Sequence, residues 1–161
     1  MSHMNAVITN EQGLITDPEV ITNMLEEVAM GLSPDLQVPP PVFHFMQGQV
    51  LEYMPKQWLK ASFPVLPEYN NPVSRMQGGL ISAAIDNTLG PLAFLVCRAP
   101  SVTLSMHLDY IRGIGPGENL IVKAGVVSRS RSNLVLEAEA LNERSKLIAR
   151  ASAQFQTIKM R

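Results

Sequence analysis

The chain of 161 residues carries a net charge of −1, with 17% charged and 46% hydrophobic side chains. That length supports one domain with a real core and leaves no room for two of full size. Without a basic excess the chain lacks the electrostatic footprint of a non-specific nucleic-acid binder, and its single cysteine, Cys97, has no internal disulfide partner, which fits a reducing, cytoplasmic setting.

The opening Met-Ser-His-Met looks like a cloning remnant, and residues 1–15 read as a loose leader ahead of one domain over 16–161. The leader lacks the positive start and apolar core of a signal peptide. Thr16-Asp17-Pro18-Glu19 then combines a capping side chain, a proline at the first helical position and an acidic residue in the first turn. Together these start a helix. Ile21, Met24, Leu25 and Val28 recur along one face of it, and Gly31 with Ser33-Pro34 ends it. Val38-Pro39-Pro40-Pro41 is too rich in proline for helix or central strand and reads as an extended connector. Apolar stretches at about 43–53 and 56–64, parted by Met54-Pro55, predict two strands and a turn, with Trp58 and Phe63 as core or interface residues. A loop from Pro67 to Pro72 follows.

The stretch from Asn71 to Cys97 stands apart. Between Arg75 and Arg98 the one side chain charged at neutral pH is Asp86, set among Leu80, Ile81, Ala83, Ala84, Ile85 and Leu89. Apolar residues all round a helical period predict a helix wrapped by other structure. An isolated carboxylate there is expensive and needs a purpose or a partner. The run from Met76 to Cys97 is long enough to span a bilayer, yet Gln77, Gly78, Gly79, Asp86, Asn87, Gly90 and Pro91 argue against a membrane segment. Cys97, in the same apolar run, reads as a buried structural thiol.

Beyond it the period changes to two. Val102, Leu104, Met106, Leu108 and Tyr110 alternate with Ser101, Thr103, Ser105, His107 and Asp109, the pattern of a half-buried strand. Gly113 to Gly117 turns the chain; Leu120 to Val126, Leu134 to Ala140 and Leu147 to Phe155 alternate in the same way, separated by turns at 128–133 and 142–146. The order is helix, two strands, a long helix, four strands. It predicts an α+β domain in which one six-stranded antiparallel sheet curls around a central helix, with an extra helix at the N-terminus.

Asn71, then Gln77-Gly78-Gly79-Leu80, then Asp86-Asn87, with Thr103 and Tyr110 on the next strand, resemble the hotdog-fold acyl-CoA thioesterases of the phenylacetate-pathway type. The resemblance spans about residues 43–158. In that family the motif is an Asn, a short loop, His-Gly-Gly and an Asp further along the helix; here Gln77 stands in the place of the histidine. What the resemblance implies is a hydrolase for a small or medium acyl-CoA. Asp86 would act as general base or nucleophile. Asn71 or Gln77 would orient the thioester or water, and Thr103 would hold water from the neighbouring strand. Arg129 and Arg131, and less directly Arg112, would contact the coenzyme A phosphates. Phe43, Phe45, Trp58 and Met76 are candidates for an apolar lining. No cofactor is expected beyond the coenzyme A of the substrate.

Glycines at a helix start let a ligand approach the backbone, where unpaired N–H groups carry partial positive charge. Gly78 and Gly79 are therefore suited to bind a thioester carbonyl as its oxygen gains charge. Gly79 and Asp86 are seven residues apart, on one face but about 10 Å along the axis. One chain's Asp86 cannot reach a carbonyl held at its own helix start, so the site is expected to be shared across a homodimer, alone or within a tetramer. A non-catalytic acyl-CoA binder and a hotdog hydratase or dehydratase remain as alternatives, the latter disfavoured because such enzymes pair a His with the acid. The other polar residues read blandly: His107 as a surface or interface residue, His44 without ligand-spaced partners for a metal, Gly113 to Gly117 as a turn, and Ser82 without a nucleophile-elbow setting.

Overall fold

The computed structural model describes residues 13–159; the expected cloning remnant and most of the expected loose leader lie outside them. Ile15 is not loose. It is buried and pairs with Tyr53 through two backbone hydrogen bonds of 2.9 and 2.8 Å. Helix α1 (Pro18–Leu32) starts as its residues dictate, with the Asp17 side chain accepting the Glu19 N–H and proline in the first turn. It buries Ile21, Leu25, Val28 and Ala29 against strand β1 (Gln49–Met54) and the central helix.

The expected strand from 43 to 53 is two elements. Pro41–Phe45 forms a short helix, α2, and β1 begins only at Gln49. Pro41 presets the helical φ, Pro40 is extended before it, and the Gly48 N–H returns to the Phe43 carbonyl at 2.8 Å to close the turn. Gly48 has no alternative here: a Cβ would lie 2.7 Å from the Phe63 ring and 2.8 Å from that of Phe43. Five residues show too little of a helical period to be told from a strand by aromatic content alone.

Strands β2 (Trp58–Pro64), β3 (Ser101–Tyr110), β4 (Asn119–Arg129), β5 (Asn133–Leu141) and β6 (Leu147–Thr157) complete one antiparallel six-stranded sheet in the order β1-β2-β4-β5-β6-β3. The alternating apolar residues of β2, β4, β5 and β6, among them Leu59, Phe63, Leu120, Val122, Leu136 and Ala149, face helix α3 (Gly78–Cys97) and are fully buried. The α+β architecture read from the sequence is the one observed. Helix α3 is long and apolar enough to cross a membrane, but it is the core of the sheet's wrap and most of it is buried there.

The wrap is incomplete. Gly79, Leu80, Ser82, Ala83, Asp86 and Gly90 of α3 are exposed or half-buried, so Asp86 is not the deeply buried carboxylate the sequence suggested. Of the two sheet edges, that of β1 takes the Ile15 bridge, whereas the outer edge of the ten-residue β3 takes no strand among the described residues. Along it Val102 and Leu104 stand exposed, Leu104 by 55%.

Candidate active site

The loop before α3 is shaped by Asn71. Its Oδ1 accepts the N–H groups of Val73 and Arg75 at 3.0 and 3.1 Å, and its backbone closes the same loop onto Ser74 and Arg75. An Asn side-chain oxygen that mimics a turn in this way fixes backbone geometry, and the amide nitrogen has no protein acceptor among the described residues. Next to it Asn70 buries its Oδ1 with no hydrogen-bond partner among the described residues. Met76 and Gln77 are then clamped, their N–H groups donating to Ile114 at 2.9 Å and Tyr69 at 2.8 Å. Met76 is 2% exposed and belongs to the core.

Gln77 is the N-cap of α3. Its Oε1 accepts the Leu80 N–H at 3.2 Å. The side chain folds over Gly79 to do so, and a Cβ on Gly79 would stand 2.8 Å from that oxygen. A side chain at 79 would therefore push the Gln77 amide off its present position over the helix start. On the other side the Tyr110 ring lies 3.3 Å from where a Gly78 Cβ would be, and its hydroxyl donates to the Gly78 carbonyl at 3.0 Å. Among the described residues no protein acceptor takes the N–H of Gly78 or Gly79. These are the donors that a helix start leaves for a ligand.

Two turns on, Thr103 Oγ1 donates to Asp86 Oδ1 at 2.9 Å, while Oδ2 has no protein donor among the described residues. A bulge makes this contact. Thr103 pairs with Phe155 and Ser105 with Gln154, leaving Leu104 as the extra residue in β3. Residues directly opposite share a face, so Thr103 points with the buried Phe155 toward α3. Below the bulge the inward set is Met106, Leu108 and Tyr110, opposite Ala153, Ala151 and Ala149. The strict alternation read along 102–110 is thus broken, which turns Val102 and Leu104 outward and brings Thr103 to Asp86.

The arginines are not gathered. Arg129 ends β4, near enough to Cys97 at the end of α3 for its charge to act there, and Arg131 lies in the following turn; both are exposed, whereas the sequence pattern places Arg129 itself in the turn. Arg112 follows β3, where its Nη1 donates to the Leu147 carbonyl at 3.1 Å. Cys97 is half-buried rather than sealed in. Burial pushes its thiol pKa up, and the charge of Arg129 partly offsets this. Because the thiolate is the reactive form, Cys97 should be alkylated by iodoacetamide at neutral pH more slowly than free cysteine, as followed by mass spectrometry.

None of the other expected lining residues borders Asp86. Phe43 packs edge-on against Phe63 in the core with centroids 5.5 Å apart, Phe45 is exposed, and Trp58 lies on the outer face of the sheet under Lys123 at 4.2 Å. The cavity that does contain Asp86 measures about 320 Å³ and is walled by the 36–40 connector with Val42 of α2 and by the Gly90–Phe94 part of α3. A wider depression of about 550 Å³ lies on the opposite face of the sheet, among His107, Asp109, Lys123, Glu137 and Arg150. It shares no residue with the cavity at Asp86. Exposed His107 sits 3.6 Å from Asp109 there. Among the described residues no group of three or more His, Cys, Asp or Glu is placed to hold a metal.

Residues 75–149 match the family described as the thioesterase superfamily. In three dimensions the chain is similar to the E. coli PaaI protein of the phenylacetic acid degradation operon, at 14% identity over 86% of this chain and 96% of that one, with a TM-score of 0.73. A variant of the phenylacetic acid degradation protein PaaI from Thermus thermophilus aligns at 24% identity over 74% and 100% of the two chains, TM-score 0.68. A thioesterase from Haemophilus influenzae aligns at 16% identity over 84% and 90%, TM-score 0.67. At these identities the likeness shows a shared hotdog fold. No curated protein matches the chain by sequence.

Proposed function

We propose, from the premise that this hotdog-fold chain carries a thioesterase-superfamily segment over residues 75–149, that it hydrolyses a small or medium acyl-CoA thioester. The observation that carries the reading is the pairing of two unspent chemical groups on one helix: the Gly78 and Gly79 N–H groups and the free oxygen of Asp86. The N–H groups stabilise the oxyanion that forms when the thioester carbonyl is attacked. Asp86 either takes the proton from an attacking water or attacks the carbonyl itself, giving an anhydride that water then opens; in both routes the coenzyme A thiolate leaves. Thr103 fixes the rotamer of Asp86 through one oxygen and leaves the other for this work. No cofactor is needed beyond the coenzyme A of the substrate, and a cytoplasmic setting suits such a substrate.

Because Asp86 lies about 10 Å along α3 from Gly79, the reading requires two chains. The unpaired β3 edge supports the same requirement. An exposed ten-residue edge with outward Val102 and Leu104 is a template for a second β3, and antiparallel pairing across a two-fold axis runs the two α3 helices in opposite directions. One protomer's Asp86 then faces its partner's helix start. Arg129 and Arg131, remote from Gly78 in one chain, would serve the phosphates of a coenzyme A bound across such a dimer.

Free-thiol release from a panel of acyl-CoAs tests the activity. A hydrogen bond to a charged group contributes about 1.5–3 kcal/mol, less where solvent reaches it. Thr103→Val is therefore expected to slow hydrolysis about tenfold while Thr103→Ser stays near wild type. Equal rates for Thr103→Val and wild type would leave Thr103 without a part in the chemistry.

A second reading is favoured by Gln77. Its Oε1 is committed to capping α3, so the position where relatives of this type carry an imidazole supplies structure here. A binder that holds acyl-CoA without turnover predicts thermal stabilisation by the ligand and no thiol release.

A further inference from the structure

We infer that the connector between α1 and α2, with the first turn of α2, completes the acyl pocket of this protein, and that the pocket takes an uncharged, non-polar acyl group whose thioester carbonyl lies at Asp86. The inference rests on the thioesterase reading for the position of the carbonyl, and on the cavity itself for the rest. Leu36, Val38 and Val42 form one wall of the 320 Å³ cavity, Pro91 and Phe94 of α3 form the facing wall, and Asp86 is the one ionisable residue that borders it. A volume of about 320 Å³ is at the lower end of the range for small-molecule pockets, which suits a short or medium chain. The lining holds Gln37, Asn87 and Ser101 but no cation, so an acyl group that ends in a second carboxylate finds no counter-charge there, and Asp86 would repel it.

Gly90 points the same way. A glycine inside a helix is less stable than alanine by roughly 0.5–1 kcal/mol, and here it has two reasons to be present. A side chain at 90 would crowd the ring of Pro91. It would also enter the cavity, because a Cβ built on Gly90 meets nothing within 4 Å. The wall beside Asp86 is therefore kept open where an acyl chain would pass. The opposite wall, residues 36–42, lies outside the 75–149 segment that matches the superfamily. Chain-length preference is thus set by a part of this protein that the superfamily match does not include.

Binding of S-alkyl-CoA thioethers, which cannot be hydrolysed, tests the pocket apart from the chemistry. For wild type, affinity measured by calorimetry should rise about fourfold per methylene up to a limiting length and then level off. Val42→Trp, at an exposed position on the rim, should lower that limit by two or more carbons, and Leu36→Ala should raise it. An S-carboxyalkyl-CoA of equal length should bind at least tenfold more weakly than its alkyl counterpart. An identical limit in wild type and both variants, no gain with chain length, or equal binding of the carboxylated ligand would overturn the inference. If the length profile shifts as expected but thiol release from matching thioesters does not exceed that of Asp86→Ala, the pocket stands and the hydrolase reading fails.

Discussion

Asp86→Asn should lower the rate of thiol release from the best acyl-CoA by about 10²–10⁴-fold with little change in melting temperature. The amide keeps an oxygen for the Thr103 hydroxyl to donate to, so the contact at 2.9 Å and the join between α3 and β3 survive. What is lost is the charge that accepts a proton from water or attacks the carbonyl. Asp86→Ala should show the same loss of rate, together with a small loss of stability from the unpartnered Thr103 hydroxyl. Kinetics with saturating substrate separate the possibilities further: a fall in kcat with KM nearly unchanged places Asp86 in the chemical step. A variant as fast as wild type would remove Asp86 from the reaction and with it the hydrolase reading.

The second large effect is expected from the edge of the sheet. Leu104→Lys puts a charge on the outward side of β3, where two copies of the edge would face each other. Lysine on an edge strand is a known device against edge-to-edge pairing. The variant should sediment as a monomer at concentrations where wild type is a dimer. Its hydrolysis should fall by about 10²–10³-fold, the effect of removing an oxyanion donor, because the partner's helix start is gone. Since Leu104 is the extra residue of a bulge and exposed, circular dichroism should report an intact fold. A fully active monomer would contradict the shared site.

The order of the elements was readable from residues because most of them obey a single local rule. Asp17-Pro18 starts α1, and the period-two runs of β4, β5 and β6 bury the residues they predict except Val126 and Leu147, which are half-buried. The expected motif at the start of α3 was visible in the same way. Four features were not. Helix α2 is shorter than two helical turns, so its aromatic residues carry no period to read. The apolar face of α3 is wider than the sheet can cover, and residues that looked core-bound, Asp86 among them, remain half-exposed. The bulge at Leu104 depends on how β6 pairs with β3, which no pattern within β3 reports. Likewise, the cavity beside Asp86 is walled by a connector distant in sequence, so the aromatic residues that seemed suited to line it lie elsewhere.

The Leu104 bulge gives β3 two reading frames. Upstream of it the odd-numbered positions face α3; downstream the even-numbered ones do. Packing of the domain depends on the second frame, through Met106 and Leu108. The first frame serves only the neighbourhood of Asp86, where Ser101 borders the same cavity and Thr103 holds the carboxylate. The two can therefore vary separately: a side chain at 101 or 103 can be exchanged to change what meets the acid without disturbing what fills the core. Anyone redesigning this strand from its apolar alternation would choose 102 and 104, and would alter the rim of the sheet.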